Sequence, residues 1–133
     1  TQEKVYAVDV ALMNQRADAF AGDNLGWRLE TVVLLHLMKR CKQNGWDLYY
    51  LKERSGECDF IVCSGKTVMQ AIQVSYDTAA EKTRKREING LLLANRQTQC
   101  EDLLLLTDHE YGDMVKDGHR ITIRSVYDWS ISL

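Results

Sequence analysis

The amino-acid sequence predicts an α/β domain of three layers, a mixed central sheet with a helix on each face. Three observations carry this. A helical period over 24–44 is followed by three strand patterns, 47-DLYYLKE-53, 57-ECDFIVC-63 and 68-VMQAIQVSYD-77. Short turn signals, Arg54-Ser55-Gly56 and Ser64-Gly65-Lys66, join these three as an antiparallel meander. A second helical period then leads to 102-DLLLLTD-108, apolar on both faces as a buried parallel strand is. Hairpins make antiparallel pairs and a strand–helix–strand crossover makes a parallel one, so the sheet has to be mixed.

Taken in order, 4-KVYAVDVAL-12 alternates Val5, Ala7 and Asp9 against Tyr6, Val8 and Val10 and reads as a short strand. The stretch 14-NQRADAFAGDN-24 is polar and loop-like. Asp23 or Asn24 can cap the first helix, and Asn44-Gly45 is a natural stop for it. At about 100° per residue, Gly26, Trp27, Leu29, Val33, Leu34, Leu37, Met38 and Cys41 share its buried side, with Glu30 near the centre of that stripe. In the second strand of the meander Asp59 alternates with Ile61 and Cys63. In the third, Gln73 shares a face with Met69, Ala71 and Ser75. Thr78-Ala79-Ala80-Glu81 is a capping-box pattern opening a helix that runs to about Arg96. Ile88, Leu91 and Leu92 form its core face, Arg84 lies on that side one turn earlier, and Lys82, Lys85 and Arg86 point outward. After 102–108 come a polar loop, a strand 119-HRITIRS-125 and a short helical turn 126-VYDWSIS-132.

At 133 residues and 45% hydrophobic content the chain is expected to build one core. No apolar run approaches the ~18 residues of a membrane helix, and there is no secretory leader pattern. The net charge of -2 argues against coating nucleic acid by bulk charge, though not against a local basic patch. Four cysteines, at 41, 58, 63 and 100, form no CxxC pair, and His36, His109 and His119 have no zinc-ligand spacing. Reduced thiols and a cytoplasmic location are expected. No GxxxxGK[ST] loop is present in the chain.

The chemistry-bearing residues are Glu30, Asp59 and Gln73, three oxygen-bearing side chains on neighbouring elements. A buried carboxylate is costly unless paired or metal-bound. The bland alternatives are a salt bridge from Glu30 to an arginine, an edge aspartate at 59 and a solvent-facing glutamine at 73. For the run 81-EKTRKRE-87, the bland reading is a solvated face.

The order of elements, together with 25-LGWRLE-30, 57-ECDFIV-62, 72-IQVSYD-77, 83-TRKREINGLLLA-94 and 121-ITIRSVYDW-129, resembles the PD-(D/E)XK nuclease superfamily. More narrowly, it resembles the C-terminal domain of unassigned function that follows the P-loop module in bacterial and archaeal AAA-type ATPases. The resemblance covers residues 4–131. It implies a restriction-endonuclease-like fold over 25–133, with 1–24 as the tail of a preceding module. It also implies a Mg²⁺ or Mn²⁺ site on Glu30, Asp59 and Gln73. Gln73 stands where the superfamily has its second strand acid, and Ser75 where it has its catalytic lysine. Lys82, Arg84 or Lys85 would have to replace that lysine, Lys66 being less well placed. The same cationic turns, with Arg86, would receive a DNA backbone.

Three functions follow as expectations. One is metal-dependent phosphodiester hydrolysis. Another is a non-catalytic module that binds DNA or protein for the ATPase. The third is a homo-oligomerising module using Trp27, Trp46, Tyr49, Tyr50 or Trp129 as anchors.

Overall fold

A computed structural model of the chain describes residues 5–7, 24–76 and 81–132. The expected loop over 14–23, the Asp23 cap, most of the strand 4–12 and the Thr78–Ala80 part of the capping box lie outside them. The elements are β1 (Val5–Ala7), α1 (Asn24–Asn44), β2 (Asp47–Glu53), β3 (Gly56–Ser64), β4 (Thr67–Ser75), α2 (Glu81–Thr98), β5 (Leu103–Thr107), β6 (Gly112–Lys116), β7 (His119–Ser125) and α3 (Val126–Ile131).

Among the described residues the strands form one seven-stranded sheet in the order β1-β2-β3-β4-β5-β7-β6. The first four pair antiparallel, β4–β5 and β5–β7 pair parallel, and β6 returns antiparallel on β7. The sheet is therefore mixed, as expected. β5 is buried along its whole length because both of its faces are covered. α2 packs on one face over Leu51, Cys58, Ile61, Ala71, Leu103, Leu105 and Ile121. α1 and α3 cover the other, over Phe60, Val62, Ile72, Leu104 and Leu106. These are the three layers of an α/β/α domain. Each fully buried Leu, Ile, Val or Phe here contributes roughly 1.5–3 kcal/mol, so β5, with four buried leucines, and β3, with Phe60, Ile61 and Val62, are the strongest anchors of the sheet.

One expectation about α1 is corrected. Among the residues whose burial is described, Val33, Leu34, Leu37 and Cys41 form the buried stripe with Leu29 packed against it, whereas Met38 is 40% exposed; Gly26 and Trp27 lie outside those residues. Met38 sits about 100° past Leu37, beyond the edge of the sheet contact. Glu30 is half-buried as a residue, with its Oε1 shielded from solvent, in keeping with its place on the inward stripe.

A second correction concerns Asp59. The β2–β3 register runs Tyr49↔Ile61 and then Leu51↔Cys58, which inserts one extra residue in β3. This bulge resets the alternation, so Cys58, rather than Asp59, joins Ile61 and Cys63 in the cluster under α2.

Candidate functional site

The bulge in β3 and the end of the β3–β4 ladder coincide, and together they create the candidate site. Backbone pairing between the two strands reaches Phe60↔Ile72 and goes no further toward the start of β3. Beyond that point side chains replace the ladder. The Asp59 backbone N–H donates to Gln73 Oε1 at 2.8 Å, and the Val74 N–H donates to Asp59 Oδ2 at 3.0 Å. Cys58 Sγ adds a weak bond to the Ile72 carbonyl at 3.5 Å. Asp59 is 7% exposed and Gln73 2% exposed, so these substitutions take place in the core.

Gln73 does more than close the hairpin. Its Nε2 donates to the Glu57 carbonyl at 2.8 Å and to the Glu87 carbonyl at 3.2 Å, the latter on α2. A side-chain amide has two N–H donors, and both are therefore taken. The helix can come this close because residue 90 is glycine: a Cβ there would meet Gln73 Nε2 and the Glu57 carbonyl. Gln73 thus ties β3, β4 and α2 together, with one lone pair of Oε1 left over.

Near this knot lies a group of carboxylates. Glu87, on the inward side of α2, has its carboxyl pushed up to about 8, chiefly by burial and next by the charge of Asp59. Arg86 opposes the shift, while Glu57 and Glu30 add to it. Acids from α1 and β3 thus bear on the one carboxyl of Glu87 on α2. Arg86 gives little relief, its Nε lying 3.7 Å from Glu87 Oε1 on a side chain that is 75% exposed. By sequence Glu87 stands only within the charged run 81-EKTRKRE-87. Its phase with Arg84, Ile88 and Leu91 (i, i+3, i+4, i+7) is the signal that marks it as inward-facing.

The raised carboxyl has a consequence for stability. Below about pH 4.5 Glu87 is protonated in both states and contributes nothing. As pH rises toward 8 the unfolded chain ionises while the folded one resists, so stability is lost across that window and is flat above it. A Glu87→Gln protein is expected to unfold at higher urea than the parent at about pH 9, by on the order of a few kcal/mol, with the gap closing toward pH 5. Parallel pH profiles of the urea midpoint for the two proteins would contradict this.

The remaining expected site residues separate into two groups. Ser75, at the lysine position, is 5% exposed and its Oγ has no hydrogen-bond partner among the described residues. Arg84, a candidate for the lysine's role, has its Nη2 2.6 Å from Glu110 Oε2 in a half-buried ion pair. Glu110 is held in place by Thr107, whose Oγ1 bonds both its N–H and its carbonyl at 2.9 and 3.0 Å. Lys82, Lys85 and Arg86 are exposed on the outer face of α2, as expected. Among the described residues no three His, Cys, Asp or Glu side chains stand close enough to share a metal ion.

A family model described as Domain of unknown function (DUF4143) matches residues 25–126. The chain belongs to this family. The DUF4143 match runs from α1 into the start of α3 and so contains Glu30, Asp59, Gln73, Ser75 and Glu87. Comparison with curated proteins and with solved structures returned no match. No described helix is long and apolar enough to cross a membrane.

Proposed function

We propose that this DUF4143 domain is a PD-(D/E)XK-like module whose cleavage site has become structural, and that it binds a DNA backbone on behalf of an AAA-type ATPase module. The observation that carries the reading is the bonding of Gln73. Where the nuclease superfamily has an acid facing a metal, this chain has an amide whose two donors hold β3 to α2. Ser75 and the Arg84–Glu110 pair point the same way, since neither leaves a cation free to stabilise an attacked phosphate.

The fit to Mg²⁺ or Mn²⁺ is correspondingly poor. Such an ion takes near-octahedral oxygen ligands, and Gln73 offers one uncharged lone pair beside Glu30 and Asp59. No hydrolytic step is derived through it. The proposed DNA contact rests on Lys82, Lys85 and Arg86, three exposed cations within two turns of the start of α2. The reading includes a cytoplasmic location, in keeping with four cysteines that are buried and unpaired.

Fluorescence anisotropy of labelled duplex tests the proposal. Three phosphate contacts predict a loss of affinity of roughly 40-fold between about 50 and 200 mM salt. A Lys82→Ala, Lys85→Ala, Arg86→Ala protein is expected to lose most of that salt dependence, whereas Glu30→Ala and Asp59→Ala keep it. Mg²⁺-dependent plasmid cleavage that disappears in Asp59→Ala would overturn the assignment in favour of a working nuclease.

A further inference from the structure

Far from Asp59, at the other end of β4, a cavity of about 370 Å³ opens between α1, α3 and the starts of β4 and β5. Its apolar wall includes Leu37, Leu104 and Trp129, all in the core on that face. Arg40 and Arg124 also line it, and with Asp102 they give a net positive lining in a chain whose net charge is -2.

Arg124 is the unusual residue. It pairs in register with Leu106, whose side chain is in the core under α1 and α3, and is itself half-buried at the cavity wall. Yet its Nη2 bonds only neutral oxygens, Ser132 Oγ at 2.9 Å and the Asp128 carbonyl at 3.3 Å. Among the described residues neither Arg124 nor Arg40 has a carboxylate partner. Arg40 is steadied over the Trp46 ring, 5.9 Å from its centroid. The acid in the cavity, Asp102, accepts instead from Gln70 Nε2 at 3.1 Å.

The bland account is that Arg124 serves the C-terminal end of α3 by donating to its carbonyls. That account uses one of the guanidinium nitrogens. It explains neither the second unpaired arginine nor the open volume between them.

We propose that this cavity binds a small organic anion, a phosphate monoester or carboxylate on an apolar ring. The headgroup would be held by Arg40 and Arg124, and the ring would lie against the half-buried Trp46 and Met69. Guanidinium forks suit both headgroups, and a cavity of this size with an apolar wall and few polar groups suits the body. The proposal concerns a different face from the DNA contact and stands independently of it.

Two of the three tryptophans, Trp46 and Trp129, line the cavity, so intrinsic fluorescence reports occupancy. The probes are phenyl phosphate and benzoate, with phenol and inorganic phosphate as controls. Either ring-bearing anion is expected to give a saturable change, and the tighter of the two identifies the headgroup class. Phenol is expected to bind about tenfold or more weaker, because it lacks the charge-assisted bonds. Arg40→Gln and Arg124→Met should each weaken the anion by about tenfold or more. Asp102→Asn removes a repelling charge and should tighten it severalfold, an effect that loss of structure does not produce. Phenol binding as well as the anions, no saturable response to either anion, or affinities unchanged in Arg40→Gln and Asp102→Asn would each overturn the assignment.

Discussion

Replacing Gly90 with alanine is expected to destabilise the domain by about 2–4 kcal/mol, through overpacking and a lost buried hydrogen bond. The sign is the informative part. Gly→Ala inside a helix ordinarily stabilises by about 1 kcal/mol, because alanine is the better helix former. Gly90 lies inside α2 (Glu81–Thr98), where that rule would apply. Here the added methyl would meet Gln73 Nε2 and the Glu57 carbonyl. The carbonyl belongs to β3 and cannot move without bending the strand, so α2 has to lift or Gln73 has to let go. Urea unfolding of Gly90→Ala, with the exposed neighbour Asn89→Ala as a helix-propensity control, checks this. In the Gly90→Ala, Gln73→Ala double variant the two costs should fall short of their sum, since one obstacle is already gone. A Gly90→Ala protein more stable than its parent would mean that α2 does not approach the hairpin this closely.

That contact also shows where sequence reading reached its limit. Signals that are local came through. The stop of α1 at Asn44-Gly45 was legible because Gly45 adopts φ 69, a conformation glycine takes freely. The bounds of β2, β7 and the short α3 follow from periodicity and turn chemistry within a few residues. β6 falls in the polar loop expected after 102–108, because its residues are nearly all exposed, with only Met114 half-buried, and no alternation marks it. Its signal was elsewhere: Asp117-Gly118, both at positive φ, form the two-residue turn typical of a hairpin.

Non-local features did not come through. The β3 bulge exists only in the register with β2, and nothing within 57-ECDFIVC-63 announces it. Asp59 and Gln73 are neighbours, though not through the shared alternation expected: the Asp59 N–H donates to Gln73 Oε1, and Asp59 Oδ2 accepts from the Val74 N–H. Arg84 was placed correctly by helical phase, but its partner Glu110 comes from the loop after β5, out of reach of any local pattern.

Gln73→Glu is the substitution that separates the two histories this site could have. It restores the acid that the proposed nuclease ancestry would have carried at this position. If Gln73 is the pin described above, a carboxylate removes both donors from the Glu57 and Glu87 carbonyls and sets oxygen against oxygen. It also adds a negative charge beside Asp59 and Glu87, where burial already holds one carboxyl up to about 8. Each buried partner left unsatisfied costs about 1–3 kcal/mol, so a loss of about 3 kcal/mol or more at neutral pH is expected. The loss should shrink in acid, where a protonated glutamate can donate one of the two bonds. Gln73→Ala should be comparably damaging but without the pH dependence, because it brings no charge. Thermal unfolding of both proteins with and without about 10 mM Mg²⁺ supplies the deciding comparison, since an ion bound only by the folded state raises its stability by mass action. The pin predicts that Mg²⁺ leaves Gln73→Glu as unstable as before. If Mg²⁺ instead restores it to the parent's melting temperature, position 73 faces a cation, and the glutamine is a weakened ligand rather than a strut between strand and helix.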